Sequence, residues 1–192
     1  MLRNIIGSVG TLIAISALFV PSTARAGEHR VDDQAGLLRP GFVKLADEVI
    51  DDIHARTNKD LMIETFDTIP DEMQDAARQQ DKQAFYDHWV NTEARKLGVN
   101  GVFILITKVP PHIQVGVGLE TRTKAFTFKD RDELIDRMTE SFHNRQFDKG
   151  LMDAVNFVRQ RMAANLGLPL PREIPSTQPA SAPATEPAGF NK

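Results

Sequence analysis

Cysteine is absent from the 192 residues. That one absence removes thiol nucleophiles, iron–sulfur clusters, cysteine zinc sites and disulfide staples together, so stability must come from an ordinary hydrophobic core. A basic excess is also missing. The net charge is −3, which argues against nucleic acid as a partner, because phosphate backbones demand a basic patch or stripe. The five histidines, His29, His54, His88, His112 and His143, stand singly rather than in a ligand cluster. No Walker loop occurs, and Gly116-Val117-Gly118-Leu119-Glu120-Thr121 lacks the third glycine and following helix of a dinucleotide fingerprint. No internal repeat is visible.

What is present divides into three parts. Arg3 supplies a positive start, Ile5 to Val20 an apolar run, Pro21 a break and Ala24-Arg25-Ala26 a small-x-small site, so residues 1–26 read as a signal peptide cleaved after Ala26. The apolar run is short for a membrane span, and no cysteine is available for lipid attachment. The mature protein is then expected in the periplasm or secreted, with no membrane insertion after cleavage. Cleavage removes Arg3 and Arg25 and no acid, which takes the net charge from −3 to −5. Residues 27–168 read as one α/β domain. Residues 169–192 read as a disordered spacer, because Pro171, Pro175, Pro179, Pro183 and Pro187 recur among Ala, Ser, Thr and Glu, a composition that favours extended polyproline II over a packed core.

Within the domain, Pro40 suits the first turn of a helix whose inner face is Phe42, Leu45, Ala46, Val49, Ile50 and Ile53. Leu61 to Phe66 reads as a strand. Asp71 to Lys96 is helical by composition, with a break expected at Gln79-Gln80-Asp81 and with Phe85, Trp89 and Val90 inward. Val102 to Ile106 is an uninterrupted apolar run, the mark of a central strand covered on both faces. Pro110-Pro111 interrupts the ladder, and Ile113, Val115 and Val117 resume with strict alternation as a returning strand. A helix is expected over 130–143, capped at Asp130, and another from Phe147 that stops at Gly167. Strands separated by helices predict one three-layer α/β domain with a mixed, mostly parallel sheet, helices on both faces and one antiparallel hairpin strand.

The candidate site residues cluster around the hairpin. Gly116 and Gly118 bring backbone close to whatever occupies the loop, and Glu120 follows with Thr121 and Thr123, an oxygen-rich setting of the kind calcium prefers; as a single carboxylate, far short of the roughly six to eight oxygens calcium takes, it also reads as an exposed loop glutamate. Asp33 is a second candidate metal carboxylate, and equally a turn former ahead of Ala35-Gly36. If the strands at Leu61 and Val102 are parallel, Asp67 and Lys108 share one sheet edge and Glu120 returns to the other, near Asn100, which is a candidate neighbour of Glu120 and, by ordinary turn chemistry, a turn residue in Val99-Asn100-Gly101. Asp33 joins Glu120 only if the Val31 segment runs opposite to the core strands.

Three segments also match a known pattern in order. Val31-Asp32-Asp33-Gln34-Ala35-Gly36-Leu37-Leu38, Asn100-Gly101-Val102-Phe103-Ile104-Leu105 and Val115-Gly116-Val117-Gly118-Leu119-Glu120 resemble the TPM domain family of bacterial envelope, thylakoid-lumen and animal extracytoplasmic proteins. The resemblance implies an α/β fold and several family roles: photosystem repair, acid phosphatase activity, calcium binding and modulation of a membrane receptor. This sequence departs from the pattern at Leu97-Gly98-Val99, where a longer loop is usual, at Thr121 in place of a glycine, and at Phe142-His143-Asn144-Arg145.

The expected function is a non-catalytic interaction or chaperone-like module of the envelope, with an envelope or membrane protein as partner and calcium as the candidate cofactor. Two alternatives stand beside it. One is a metal-assisted acid phosphatase using the Gly116–Gly118 amides with Arg122 and Lys124. The other is an adaptor that works through its Pro-rich tail.

Overall fold

The structure is a computed structural model that describes residues 30–172 and 174–175. The expected signal peptide, and the tail from 176 onward, lie outside the described residues.

Four strands form one sheet in the order β1 (Val31–Asp33), β2 (Asp60–Thr68), β3 (Gly101–Val109), β4 (His112–Val117). The first three are parallel and β4 is antiparallel to β3, joined through Pro110-Pro111. Helix α1 (Pro40–Thr57) links β1 to β2. Between β2 and β3 come a single 3-10 turn, α2 (Gln74–Gln79) and α3 (Lys82–Lys96), so the break falls where Gln79-Gln80-Asp81 predicts it. Asp81 caps α3 by accepting from the Ala84 amide at 3.1 Å. Helices α4 (Leu119–Lys124), α5 (Phe128–His143) and α6 (Phe147–Asn165) complete the chain order.

Residues alternate across the strands, so β2 and β3 each feed two cores. Leu61, Ile63, Val102, Ile104 and Ile106 face α1, α5 and α6, whose apolar stripes include Phe42, Val49, Ile50, Leu134, Met138, Leu151 and Val155. Met62, Phe103 and Leu105 face the other way, onto Phe85, Tyr86, Trp89 and Val90 of α3. The three-layer, mostly parallel architecture expected from the sequence is what forms. Val102 to Ile106 is buried throughout, and Ile104 has no exposed surface.

Three details differ from the sequence expectations. The helix expected from Asp130 starts at Phe128, because Thr127 and Asp130 make a reciprocal capping box: Thr127 Oγ1 accepts from the Asp130 amide and Asp130 accepts from the Thr127 amide. The stretch after Gly118, read as a loop, closes into the short helix α4, which places Glu120 in its first turn. The described chain also continues along the domain past Leu168. Arg56 donates to the Pro169 carbonyl, Asn156 Nδ2 donates to the Ile174 carbonyl at 2.8 Å, and Ile174 packs against the larger core.

Candidate functional site

The N-terminal edge of β2 and β3 is drawn tight by glycine. A Cβ on Gly101 would lie 1.8 Å from the Asp60 carbonyl oxygen, so only glycine admits this approach. Asp60 then reaches its neighbours on both sides: one carboxylate oxygen accepts from the Asn100 amide at 2.7 Å, and the other lies 3.0 Å from His54 Nδ1. Beside them Lys59 Nζ donates to Asn100 Oδ1 at 3.2 Å and to Glu120 Oε2 at 3.3 Å. The Gly118 amide donates to the Gly101 carbonyl at 2.9 Å, which brings the start of α4 onto this edge.

Asn100 and Glu120 are thus neighbours, as strand direction predicts. Asp33 is elsewhere. Strand β1 runs parallel to β2, with Asp33 opposite Thr65. Lys59, the residue before β2, and Thr65 within it are six residues apart, so Asp33 and Glu120 occupy opposite ends of the sheet, roughly 20 Å apart at about 3.3 Å per residue. The two carboxylates do not share a site. Asp33 is instead spent on the turn: Leu37 and Leu38 amides donate to its two oxygens at 3.1 and 2.8 Å, and Thr65 Oγ1 donates at 2.6 Å.

Neither position fits calcium. Glu120 has an ammonium group against it and Asp33 already accepts three donors, whereas calcium takes roughly six to eight oxygens. Among the described residues no group of three or more His, Cys, Asp or Glu side chains is placed to hold a metal ion. At the other edge Lys108 Nζ and Asp67 Oδ1 meet at 2.7 Å, the pairing that parallel core strands imply.

Gly116 and Gly118 do line a space. A cavity of about 170 Å³ opens between α3 and the ends of β3 and β4, walled by Asn91, Arg95, Val99, Phe103, Gly116 and Gly118. Its room depends on Gly116, where a Cβ would come within 3.3 Å of Val90 Cγ2. A depression of about 410 Å³ lies between α5, α6 and Leu170, and one of about 390 Å³ lies at the opposite sheet edge near Ile69, Val109 and Pro110. Neither is lined by the hairpin glycines.

Sequence reasoning passed over Lys59 and Asp60, which stand at the start of a strand and carry no motif. It also passed over Glu64, whose signal was available as the one carboxyl inside the apolar stretch Leu61 to Phe66. Glu64 is 5 % exposed on the α3 face. Burial pushes its carboxyl up to about 7, and the charges of Glu93 and Asp32 add to the effect. On the same face His112 lies 3.8 Å from the Tyr86 ring centre, and burial lowers its pKa from the usual value.

A model of the TPM domain matches residues 31–161, which runs from β1 into α6. The chain belongs to the TPM domain family. Solved structures share its fold, two N-terminal domains among them. The N-terminal domain of a P. gingivalis protein is 18% identical with a TM-score of 0.59, covering 72% of this chain and 84% of that one. The N-terminal domain of a Corynebacterium glutamicum protein is 12% identical with a TM-score of 0.52, covering 94% of this chain and 99% of that one. No curated protein matches the sequence. In this TPM domain the three family segments fall at the β1 turn, at β3 and at the junction of β4 with α4.

Proposed function

We propose that this TPM domain is a non-catalytic interaction module of the cell envelope, and that it seats a partner's side chain in the cavity beside Gly116 and Gly118. The observation that carries the reading is the size of that cavity. At about 170 Å³ it is smaller than the roughly 300 to 1,000 Å³ of small-molecule sites, yet it has room for an apolar side chain against Val99 and Phe103, with Asn91 and Arg95 at its polar wall. The polar groups next to it serve the fold instead, since Lys59, Asn100, Glu120 and Asp60 bond to one another. The envelope assignment rests on Arg3, the apolar run to Val20 and Ala24-Arg25-Ala26.

A photo-crosslinking residue at Asn91, introduced into the full-length protein in cells, tests the reading. It should trap a discrete envelope protein that the same residue at Asp75, an exposed position on α2, does not trap. Equal adducts at both positions would overturn the cavity assignment. Hydrolysis of a phosphomonoester by the purified protein, lost in Glu120→Gln, would favour the metal-assisted phosphatase.

A further inference from the structure

Helices α4 and α5 carry two apolar side chains that stand out from the surface, Leu119 at 67% exposed and Phe128 at 48%. Singly exposed apolar residues need no explanation. These two are linked by cations. Leu119 and Arg122 are three residues apart on α4, hence on one face. The Arg122 guanidinium stacks over the Phe128 ring at 5.2 Å, and that of Arg131 stacks over it at 4.8 Å.

The charge around them is one-sided. Arg122, Lys124 and Lys129 make no ion pair among the described residues. The nearby acids are each engaged: Glu120 by Lys59 at 3.3 Å, Asp132 by Arg131 at 2.7 Å, buried Asp130 by Arg161 at 3.6 Å, and Glu133, one turn from Lys129, by Arg137 at 2.6 Å and Arg161 at 2.7 Å. Arg122 and Arg131 therefore cover an exposed aromatic, and Lys124 and Lys129 add unpaired positive charge on the same two helices, on a chain whose net charge is −3.

We infer that this patch is a docking surface for an anionic lipid bilayer. The charge complementarity of Arg122, Lys124 and Lys129 with lipid phosphates supplies the attraction. Phe128 and Leu119 enter the headgroup layer, where aromatic and leucine side chains gain from leaving water. Protruding side chains of this kind suit a deformable interface better than a rigid protein pocket. No helix of the described residues is long and apolar enough to cross a membrane. The inference is independent of the cavity beside Gly116, which is walled by α3.

Vesicle sedimentation with the full chain tests it, using phosphatidylcholine alone and phosphatidylcholine with about one third phosphatidylglycerol. Binding is expected only to the anionic vesicles, and added salt should reverse it. The triple substitution Arg122→Gln, Lys124→Gln, Lys129→Gln should weaken partitioning about a hundredfold, at roughly fivefold per basic residue. Phe128→Ser should weaken it about tenfold. Leu119→Ser serves the same purpose if Phe128→Ser fails to fold by circular dichroism. Three results would overturn the inference: no vesicle binding, equal binding to neutral vesicles, or binding that the substitutions leave unchanged and that therefore belongs to another segment such as Ile5 to Val20. Capture on immobilised polyglutamate without vesicle binding would also overturn it, and would assign the patch to an acidic protein.

Discussion

Lys59 holds Glu120 across the N-terminal edge of the sheet, with Nζ 3.3 Å from Oε2 and 3.2 Å from Asn100 Oδ1. Glu120 is 82% exposed, so the pair is largely screened by water. Glu120→Gln should therefore change unfolding free energy by less than about 0.5 kcal/mol in urea melts. Millimolar calcium should leave wild type and variant melting alike. A calcium-dependent rise in melting temperature that Glu120→Gln abolishes would restore the metal reading.

Asp33 is expected to behave in the opposite way. Its carboxylate accepts from the Leu37 and Leu38 amides and from Thr65 Oγ1, and Thr65 is fully buried. Asp33→Ala should cost about 1 to 3 kcal/mol of stability in calcium-free buffer, through the donors left without an acceptor. An unchanged denaturant midpoint would show that the turn closes without it.

Two glycines in the same neighbourhood make a controlled pair. Gly101→Ala would press a methyl group into the Asp60 backbone at 1.8 Å, so β2 and β3 must part, at a cost of about 1 to 3 kcal/mol or more. Gly118→Ala meets nothing closer than 3.5 Å and keeps an ordinary backbone, so it should be nearly neutral. Equal destabilisation of the two variants would contradict the close approach.

Ile104 lies in β3 with β2 on one side and β4 on the other, and it is fully buried. Ile104→Ala should destabilise by about 2 to 5 kcal/mol through lost transfer energy and a cavity. A loss under about 0.5 kcal/mol would place the side chain outside the core.

Glu64 should make stability depend on pH. The folded state keeps its proton up to about 7, while the unfolded chain releases it near the ordinary value of 4.5. The folded state therefore binds more protons between these values, and stability falls as pH rises through that window. The full loss above it is about 3 kcal/mol, the upper bound for a shift of that size. Glu64→Gln should flatten the slope and melt higher than wild type at pH above the window. Parallel pH profiles for the two proteins would remove Glu64 as the cause.

Long apolar patterns made the sheet legible in advance. Val102 to Ile106 announced a central strand, and the alternation of Ile113, Val115 and Val117 announced its antiparallel neighbour. The orientation of β1 was not legible, because three residues carry no periodicity and Val31-Asp32-Asp33 pairs equally well either way on paper. That orientation decided the candidate site: parallel pairing sends Asp33 to Thr65 and away from Glu120. The start of α5 is ambiguous in the sequence for a local reason, since Thr127 and Asp130 both suit a cap and only their reciprocal hydrogen bonds decide which residue fills it. Lys59 escaped notice because an ion pair between Lys59 and Glu120 is a product of tertiary folding.

The two sides of the sheet are not equally braced. Helix α6 packs against both α1 and α5, and Asn165 further ties it to the Ala125 carbonyl and Asp130. On the other side α3 rests on β3 and β4 with the short α2 alongside, over a layer that includes the buried carboxyl of Glu64. Local openings of least free energy should therefore lift α3 before anything else yields. The cavity of Gly116 and Gly118 is walled by that same helix, so its volume changes with every excursion of α3 from the sheet.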